Sequence, residues 1–454
     1  MANPRKAAQN EKPKTSEPVS LPPPPVPQPG APVERVFRRC DWIAAGVAFL
    51  IAMAGYVYMM APNVTLEDSG ELVTAAHHLG VPHPPGYPIW TILGFLFDHL
   101  NPLSPQPVPE GVDVSPRRYN IAWRVCFMSG TFGALAVGLL ALLISRSGSM
   151  LLRSVKSLSD AINEEQERGI VTVCGVTGAL IFAFCPTPLS QAVIAEVYSL
   201  NGLFMAVTMT TLFIWMWNTQ RDRYLYLTCL LWGLGLTNHQ TLLFMAPAYL
   251  ILVGLVSVAV LMDLLAAGAM VGTIGFWFVG WCTSVTTIGE VAMGCLIGLP
   301  VIGLFVVDRL VNMRRGTEAW MILKGLTLVV VAVALALAAY WYFTKADAFW
   351  MGVVCAAIAM LISLAGDLLE WHFGWQTKVN WKRAGIAAGC VVAGLAFYGY
   401  SPLASSTNPP MNWGYTRDKD GFWHHLTRGQ YEKVKIGRSF DVFWKQLTLS
   451  LIHI

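Results

Sequence analysis

The chain predicts an all-α polytopic membrane protein, and three observations carry that expectation. Hydrophobic residues make up 55% of its 454 residues and charged ones only 13%, against roughly 25% charged in an ordinary soluble domain. Mean hydropathy is +0.51. The apolar residues gather into about eleven runs, each long enough to cross or nearly cross a bilayer that needs roughly 20 helical residues.

In chain order, residues 1–40 come first, polar and then proline-rich (LPPPPVPQPG). Such a segment has too little apolar surface to offset its ordering entropy, so it reads as a disordered tail with polyproline character. The run 42–61 follows the basic cluster Arg35, Arg38 and Arg39 and is too long for a signal-peptide core of roughly 7–15 residues. It therefore reads as a first span. Further spans are expected at 119–145, 169–186, 200–217, 224–237, 241–262, 265–284, 289–307, 321–342, 349–366 and 384–400, closing a bundle domain over 41–400.

Lys and Arg near span ends set orientation. The cluster before the first span puts the N-terminus in the cytosol. Alternation then places Arg146, Arg153 and Lys156, Arg221 and Arg223, Arg309, Arg314 and Arg315, and Lys378, Lys382 and Arg383 on that same face. Only the pair Arg117 and Arg118 dissents. The loop 62–118 and the region 401–448 thus fall on the outer face, of the inner (plasma) membrane if the chain is bacterial. The last six residues, LSLIHI (449–454), read like a translated sequencing-library adapter, so the expectation is a fragment lacking a C-terminal domain. Nine cysteines show no paired spacing and no CxxC, which argues for packing rather than disulfides or zinc. No nucleic-acid partner is expected; the bilayer is one.

The loop 62–118 holds the densest chemistry. NVTLEDSGELVTAAHHLGVPHPPGYPIW (63–90) gathers Glu67, Asp68, Glu71, His77, His78 and His83 beside a bilayer, where charge is costly and tends to serve function. Thr65 to Asp68 fits a capping box, opening a short helix stopped by Gly80. Asp68 and Glu71, three apart, then share a face. Pro84 and Pro85 hold Val81 to His83 extended and Gly86 allows a reversal. The chain is re-aimed into an amphipathic segment whose Tyr87 and Trp90 suit the interface. His83 could meet a phosphate, orient a carboxylate or merely brace the turn. A zinc site from His77, His78 and His83 has little support, because adjacent histidines point to different helix faces and no ligand-type spacing appears. No metal or other cofactor is assigned, and metal dependence is left open.

Two further spots put polar groups at the outer ends of spans: Gln191, Glu196, Tyr198 and Asn201, and Asn238, His239 and Gln240. Intramembrane Glu or His is a functional candidate, with interhelical hydrogen bonding the plainer alternative. The tail adds Trp413, His424, Arg428 and Tyr431, which suit a lipid-phosphate or sugar site or interfacial anchoring.

The elements EDSGE (67–71), HPPGYP (83–88), AEVYSLN (195–201), the Asn238–His239 pair and NPPMNWG (408–414) occur in order. Together they resemble the protein O-mannosyltransferase-like membrane family that includes human transmembrane protein 260, over about Asp41 to Tyr431. The resemblance implies a GT-C type glycosyltransferase bundle of about eleven helices, with its active site in a helical first outer loop. It also implies a polyprenyl-phosphate sugar as donor. The transfer would be O-mannosyl or related hexosyl, to a protein or envelope glycan hydroxyl, with acceptor choice attributed to a C-terminal soluble domain.

The residues are consistent with that chemistry. Transfer from a lipid phosphate needs a carboxylate to take the acceptor's proton and donors to hold the departing phosphate. Asp68 is the candidate base, with Glu71 supporting it. Candidates for binding are Glu67, His83, Tyr87, Glu196, Tyr198, Asn238, His239, Trp413 and Arg428. No Gly-rich loop or DxD pair supports a nucleotide sugar. The alternatives are a polytopic secondary transporter, which would show charge at the midplane and inverted repeats, and a non-catalytic envelope-assembly protein.

Overall fold

The computed structural model describes residues 35–100, 120–283, 318–345 and 348–429. Apart from one isolated parallel bridge between Val81 and Asn412, the regular structure among the described residues is helical. Among the described residues, six helices are long and apolar enough to cross a membrane, or seven if one bent pair counts as a span.

The core of the N-terminal half is built on close helix approach. α1 (Arg39–Met59) buries Ala44, Ala48, Ala52 and Tyr56 against α4 (Ile121–Ser154) and α6 (Glu164–Ala183). Small residues are what let helices pack closely where lipid supplies no hydrophobic drive. Gly175 of α6 shows the tolerance: a Cβ there would meet Ala141 O of α4 at 2.9 Å. α4 begins where Asn120 Oδ1 accepts from Trp123 N at 3.0 Å, a side-chain cap. At the far ends of these helices Glu167 accepts from Arg38 (2.9 Å), Arg153 (2.9 Å) and Ser149 (2.5 Å). Asp41 accepts from Ser145 at 2.6 Å. Buried acids need such partners.

Between α1 and α4 stand two short helices, α2 (Ser69–His78) and α3 (Pro88–Leu100). After α5 (Lys156–Ala161), α6 bends by 72° into α7 (Pro186–Ala192) at the Cys185–Pro186 step, where proline removes a helix donor. The span expected at 169–186 thus starts earlier, at Glu164, and ends in this bend. α8 (Tyr198–Trp217) and α9 (Asp222–Leu236) follow. A 3-10 turn (Gln240–Met245) then leads to α10 (Ala246–Val256) and α11 (Val258–Thr283). The break falls at Ser257, in extended conformation, so the boundary expected near 262–265 is corrected. Ser257 Oγ accepts from Val260 N and caps α11, whereas Asp263 lies inside the helix and accepts from Asn380 and Arg383.

The chain continues through α12 (Glu318–Lys345), α13 (Ala348–Phe373), α14 (Trp381–Leu395), α15 (Tyr400–Ser406) and α16 (Lys419–Leu426). Lys324 and Asp367 pair at 2.7 Å between α12 and α13. Arg383 of α14 bonds Asp222 (2.9 Å) and Asp263 (2.7 Å), tying α9 and α11 to it. The span expected at 289–307, Arg117, Arg118, Tyr431, the N-terminal tail and the LSLIHI end lie outside the described residues.

Candidate functional site

The loop after α1 opens with Glu67 in the left-handed region (φ 67), a conformation that costs free energy for a residue with a Cβ. That kink overturns the expected capping box. Asp68, not Thr65, is the N-cap of α2, and it makes no side-chain cap bond. Thr65 Oγ1 is buried with no hydrogen-bond partner among the described residues. At the other end Leu79 itself turns left-handed (φ 50) and stops the helix, one residue before Gly80. Asp68 and Glu71 nevertheless lie together, because both face His83.

Glu71 Oε1 accepts from the backbone N–H of His83, and it also lies 3.2 Å from His83 Nδ1. His83 Nε2 is 2.8 Å from Tyr87 Oη and 3.8 Å from Asp68 Oδ2. Burial pulls the His83 pKa down, but the hydrogen bond and charge of Glu71, then the charges of Asp68 and Glu196, outweigh it and leave the value raised. A protonated ring donates to Glu71 from Nδ1 and to Tyr87 from Nε2. The Asp68 side chain, 56% exposed, is left open above this braced pair. The turn that aims His83 closes with Gly86 N donating to His83 O at 2.8 Å, and Gly86 has φ +91, which glycine alone adopts easily.

Tyr87 and Trp90 are buried, not interfacial as expected. Each has a polar partner inside: Tyr87 Oη meets His83, and Trp90 Nε1 donates to Glu196 O at 3.1 Å. Tyr and Trp go inside when their polar tips are met there. The segment 195–198 is drawn against α3 in this way. Asn238 Nδ2 donates to Val197 O at 3.1 Å and Asn201 Nδ2 to Thr241 Oγ1 at 3.2 Å, so the polar spots around Glu196 and around Asn238 form one cluster.

Glu196 is buried, and burial, outweighing a hydrogen bond from Val197 N and reinforced by Asp68 and Glu67, pushes its carboxyl up to about 7. His239 is pushed down to about 4 by burial and then by the charges of Arg428 and His83. It is therefore a neutral hydrogen-bonding group. Its Nδ1 accepts from Thr241 N at 3.3 Å, which puts the proton on Nε2. The His239 ring lies 6.1 Å from Tyr87 and 5.2 Å from Tyr198. Asp68, Glu71, His83, Tyr87, Glu196, Tyr198, Asn238 and His239 thus converge, with the Arg428 charge felt at their edge. Glu67 is exposed beside them.

Trp413 takes a different part. Its backbone N–H donates to Val81 O and Val81 N donates to Met411 O, both at 2.8 Å, while its ring is 43% exposed. Tyr400 Oη adds a bond to Gly80 O at 2.9 Å. The NPPMNWG segment therefore clamps the stretch before the HPPGYP turn.

His425 was missed by sequence reasoning, which picked its neighbour His424. His425 is 1% exposed, and both ring nitrogens lack hydrogen-bond partners among the described residues. It lies against Gly86 and Gly414 and is pushed down to about 4, by burial first and then by His83 and His424. The only sequence signal is an HH doublet in which one member must face inward.

A groove of about 460 Å³ starts at the site. Glu67 and Tyr198 line its loop end, and Gly133, Ala136 and Met205 line it from within α4 and α8. Two side-chain groups have cation-binding composition, Asp68 with Glu71 and His83, and His77 with Asp98 and His99. His83 is thus turned away from His77 and His78.

Residues 68–262 match the family model described as the Protein O-mannosyl-transferase TMEM260 N-terminal domain. The chain is similar to Protein O-mannosyl-transferase tmem260 of Dictyostelium discoideum, 28% identical over 215 residues, 44% of this chain and 22% of the relative. It is also similar to Protein O-mannosyl-transferase TMEM260 of Mus musculus, 32% identical over 173 residues, 38% of this chain and 19% of the relative. The matches thus span about a fifth of the length of these relatives. No solved structure matches the chain.

Proposed function

Taking the chain as a TMEM260-like family member, which its residues 68–262 support, we propose that it is a membrane glycosyltransferase of GT-C type. It moves mannose, or a related hexose, from a polyprenyl-phosphate donor to a protein or envelope hydroxyl on the outer face. The observation that carries this reading is the exposed Asp68 carboxylate, beside a His83 that Glu71 holds at two points, at the mouth of a groove leading in among apolar helices.

The step is a displacement at the anomeric carbon. The acceptor oxygen bonds to that carbon as its proton passes to Asp68, and the bond from carbon to phosphate oxygen breaks. The lipid phosphate leaves with both electrons of that bond. Charge on the departing phosphate is met by Nε2–H of His239 and by Arg428, groups fixed before the reaction begins. Glu196, with its carboxyl near 7, carries only part of a negative charge at neutral pH. Glu67, Tyr87, Tyr198, Asn238 and Trp413 shape the site around sugar and acceptor. The groove past Glu67 and Tyr198 takes the isoprenoid chain.

The test is transfer of labelled mannose from a polyprenyl-phosphate donor by the purified chain in liposomes containing an acceptor peptide. Wild-type chain transfers, and Asp68→Asn loses on the order of 10²–10⁴-fold in rate while staying folded, the range a general base contributes. Full retention of transfer by Asp68→Asn would remove Asp68 from this role. Absence of transfer from every polyprenyl-phosphate hexose would sink the donor assignment.

A further inference from the structure

Away from the candidate site, the C-terminal ends of α2 and α3 bring three histidines round one carboxylate. His77 Nδ1 lies 2.5 Å from Asp98 Oδ2, and His99 Nδ1 lies 3.5 Å from the same oxygen. One nitrogen from each ring and a carboxylate oxygen of Asp98 fall within 4.8 Å of one another. The rings of His77 and His99 stack with centroids 5.2 Å apart, and His78 closes edge-on to His77 at 4.6 Å.

Asp98 has no exposed surface, and among the described residues its Oδ1 has no hydrogen-bond partner. A buried carboxylate with an orphaned oxygen is costly unless a positive charge meets it. The backbone here is already held, since Arg124 Nη1 donates to Asp98 O at 2.6 Å.

We propose that His77, Asp98 and His99 bind a divalent cation of the zinc class, which staples α2 to α3. Two imidazoles and one carboxylate suit zinc, whereas magnesium and calcium favour all-oxygen shells. Zinc bonds of about 2.0–2.2 Å at tetrahedral angles set ligand atoms roughly 3.3 Å apart. The Asp98–His99 pair is already near that spacing. The His77–Asp98 pair is at hydrogen-bond length, and so is His99 Nδ1 to Phe95 O at 2.9 Å. The ion takes the place of the hydrogen on Nδ1 of each ring, that proton moving to Nε2 of a neutral imidazole or to water from a protonated one, and His77 and Asp98 separate by less than about 1 Å. Three protein ligands leave one position for water. The site does not depend on the glycosyltransferase reading.

The experiment titrates zinc ion alone into the full chain in detergent, stripped with chelator and freed of any affinity tag. Wild type takes up one equivalent. Asp98→Asn and His99→Gln, checked for helicity by circular dichroism, bind roughly 100-fold more weakly, and His83→Gln binds like wild type, since ligand shells set affinity at this scale. Wild type loaded with cobalt(II) gives the strong visible absorption of a four-coordinate site, a measurement that needs no variant. The proposal falls if wild type shows no stoichiometric uptake or if the cobalt spectrum is that of the hydrated ion. It also falls if uptake is lost in His83→Gln but kept in His99→Gln, which would move the ion to the Asp68–Glu71–His83 group.

Discussion

Glu71 holds His83 at two points, one carboxylate oxygen taking the backbone amide and facing the ring nitrogen Nδ1 at 3.2 Å. The pair spans the helix α2 and the proline turn, so the ring's place beside Asp68 depends on a residue 12 positions earlier. Glu71→Gln keeps the shape but removes the charge. The His83 ring then titrates lower, because the Glu71 carboxylate that helped raise it is replaced by a neutral amide acceptor. Sugar transfer falls about 10²-fold, the cost of a misplacement of about 1 Å near the reacting groups. Histidine NMR titration and the transfer assay check the two parts separately.

Glu196 makes stability depend on pH in a defined direction. Its carboxyl is raised from an ordinary value of 4.5 to about 7 in the folded chain, chiefly by burial. Its contribution is therefore fully present below about 4.5 and lost as pH rises through about 7, at about 1.4 kcal/mol for each unit of displacement as an upper figure. His239 and His425, both lowered from 6.5 to about 4, act oppositely, their stability being present above 6.5 and lost as pH falls through about 4. Glu196→Gln isolates the first effect. The melting temperature of the variant should gain on wild type between pH 4.5 and 7 and run parallel beyond. A constant difference across that range would show that Glu196 does not titrate there.

Gly86→Ala should destabilise the loop by about 1–3 kcal/mol, the range for a non-glycine residue held in a sparse backbone region. Its φ is +91, and the new Cβ would also meet the His425 ring. Adding His425→Ala relieves the contact but not the backbone strain. Thermal unfolding of the double variant should therefore recover only part of the loss, a non-additivity expected of residues in contact.

The outer-face assignment is open to a labelling test. Ser69 is fully buried, so a reporter cysteine belongs at Leu66, which is 89% exposed. Leu66→Cys, with the exposed native Cys174 and Cys185 replaced by Ser, should react with an impermeant maleimide in intact cells. Reaction only after permeabilisation would invert the topology.

The acids of the loop were legible because i, i+3 spacing at a bilayer edge is a local signal. The capping box misled because nothing in VTLED announces that Glu67 adopts a left-handed conformation. Tyr87 and Trp90 looked interfacial because their partners, His83 across a turn and the Glu196 carbonyl over 100 residues away, are set by tertiary packing. His425 was hidden for the same reason, since α16 is polar overall and only its packing picks one histidine of the doublet. Hydropathy made readable the six helices that, among the described residues, are long and apolar enough to cross a membrane. The break at Ser257 was not readable, because the charged Asp263 marked the boundary six residues late, while in the fold its carboxylate is taken up inside by Arg383.

The bond from Tyr400 to Gly80 joins residues 320 positions apart, and the Val81–Asn412 bridge lies beside it. Loop closure on that scale comes late in folding. During synthesis, the proline turn and its carboxylates emerge early, yet they have no clamp until the far end of the bundle has been inserted. A ribosome-bound chain stopped before residue 400 would therefore carry every acid of the site but not the bonds that Tyr400, Met411 and Trp413 make to Gly80 and Val81.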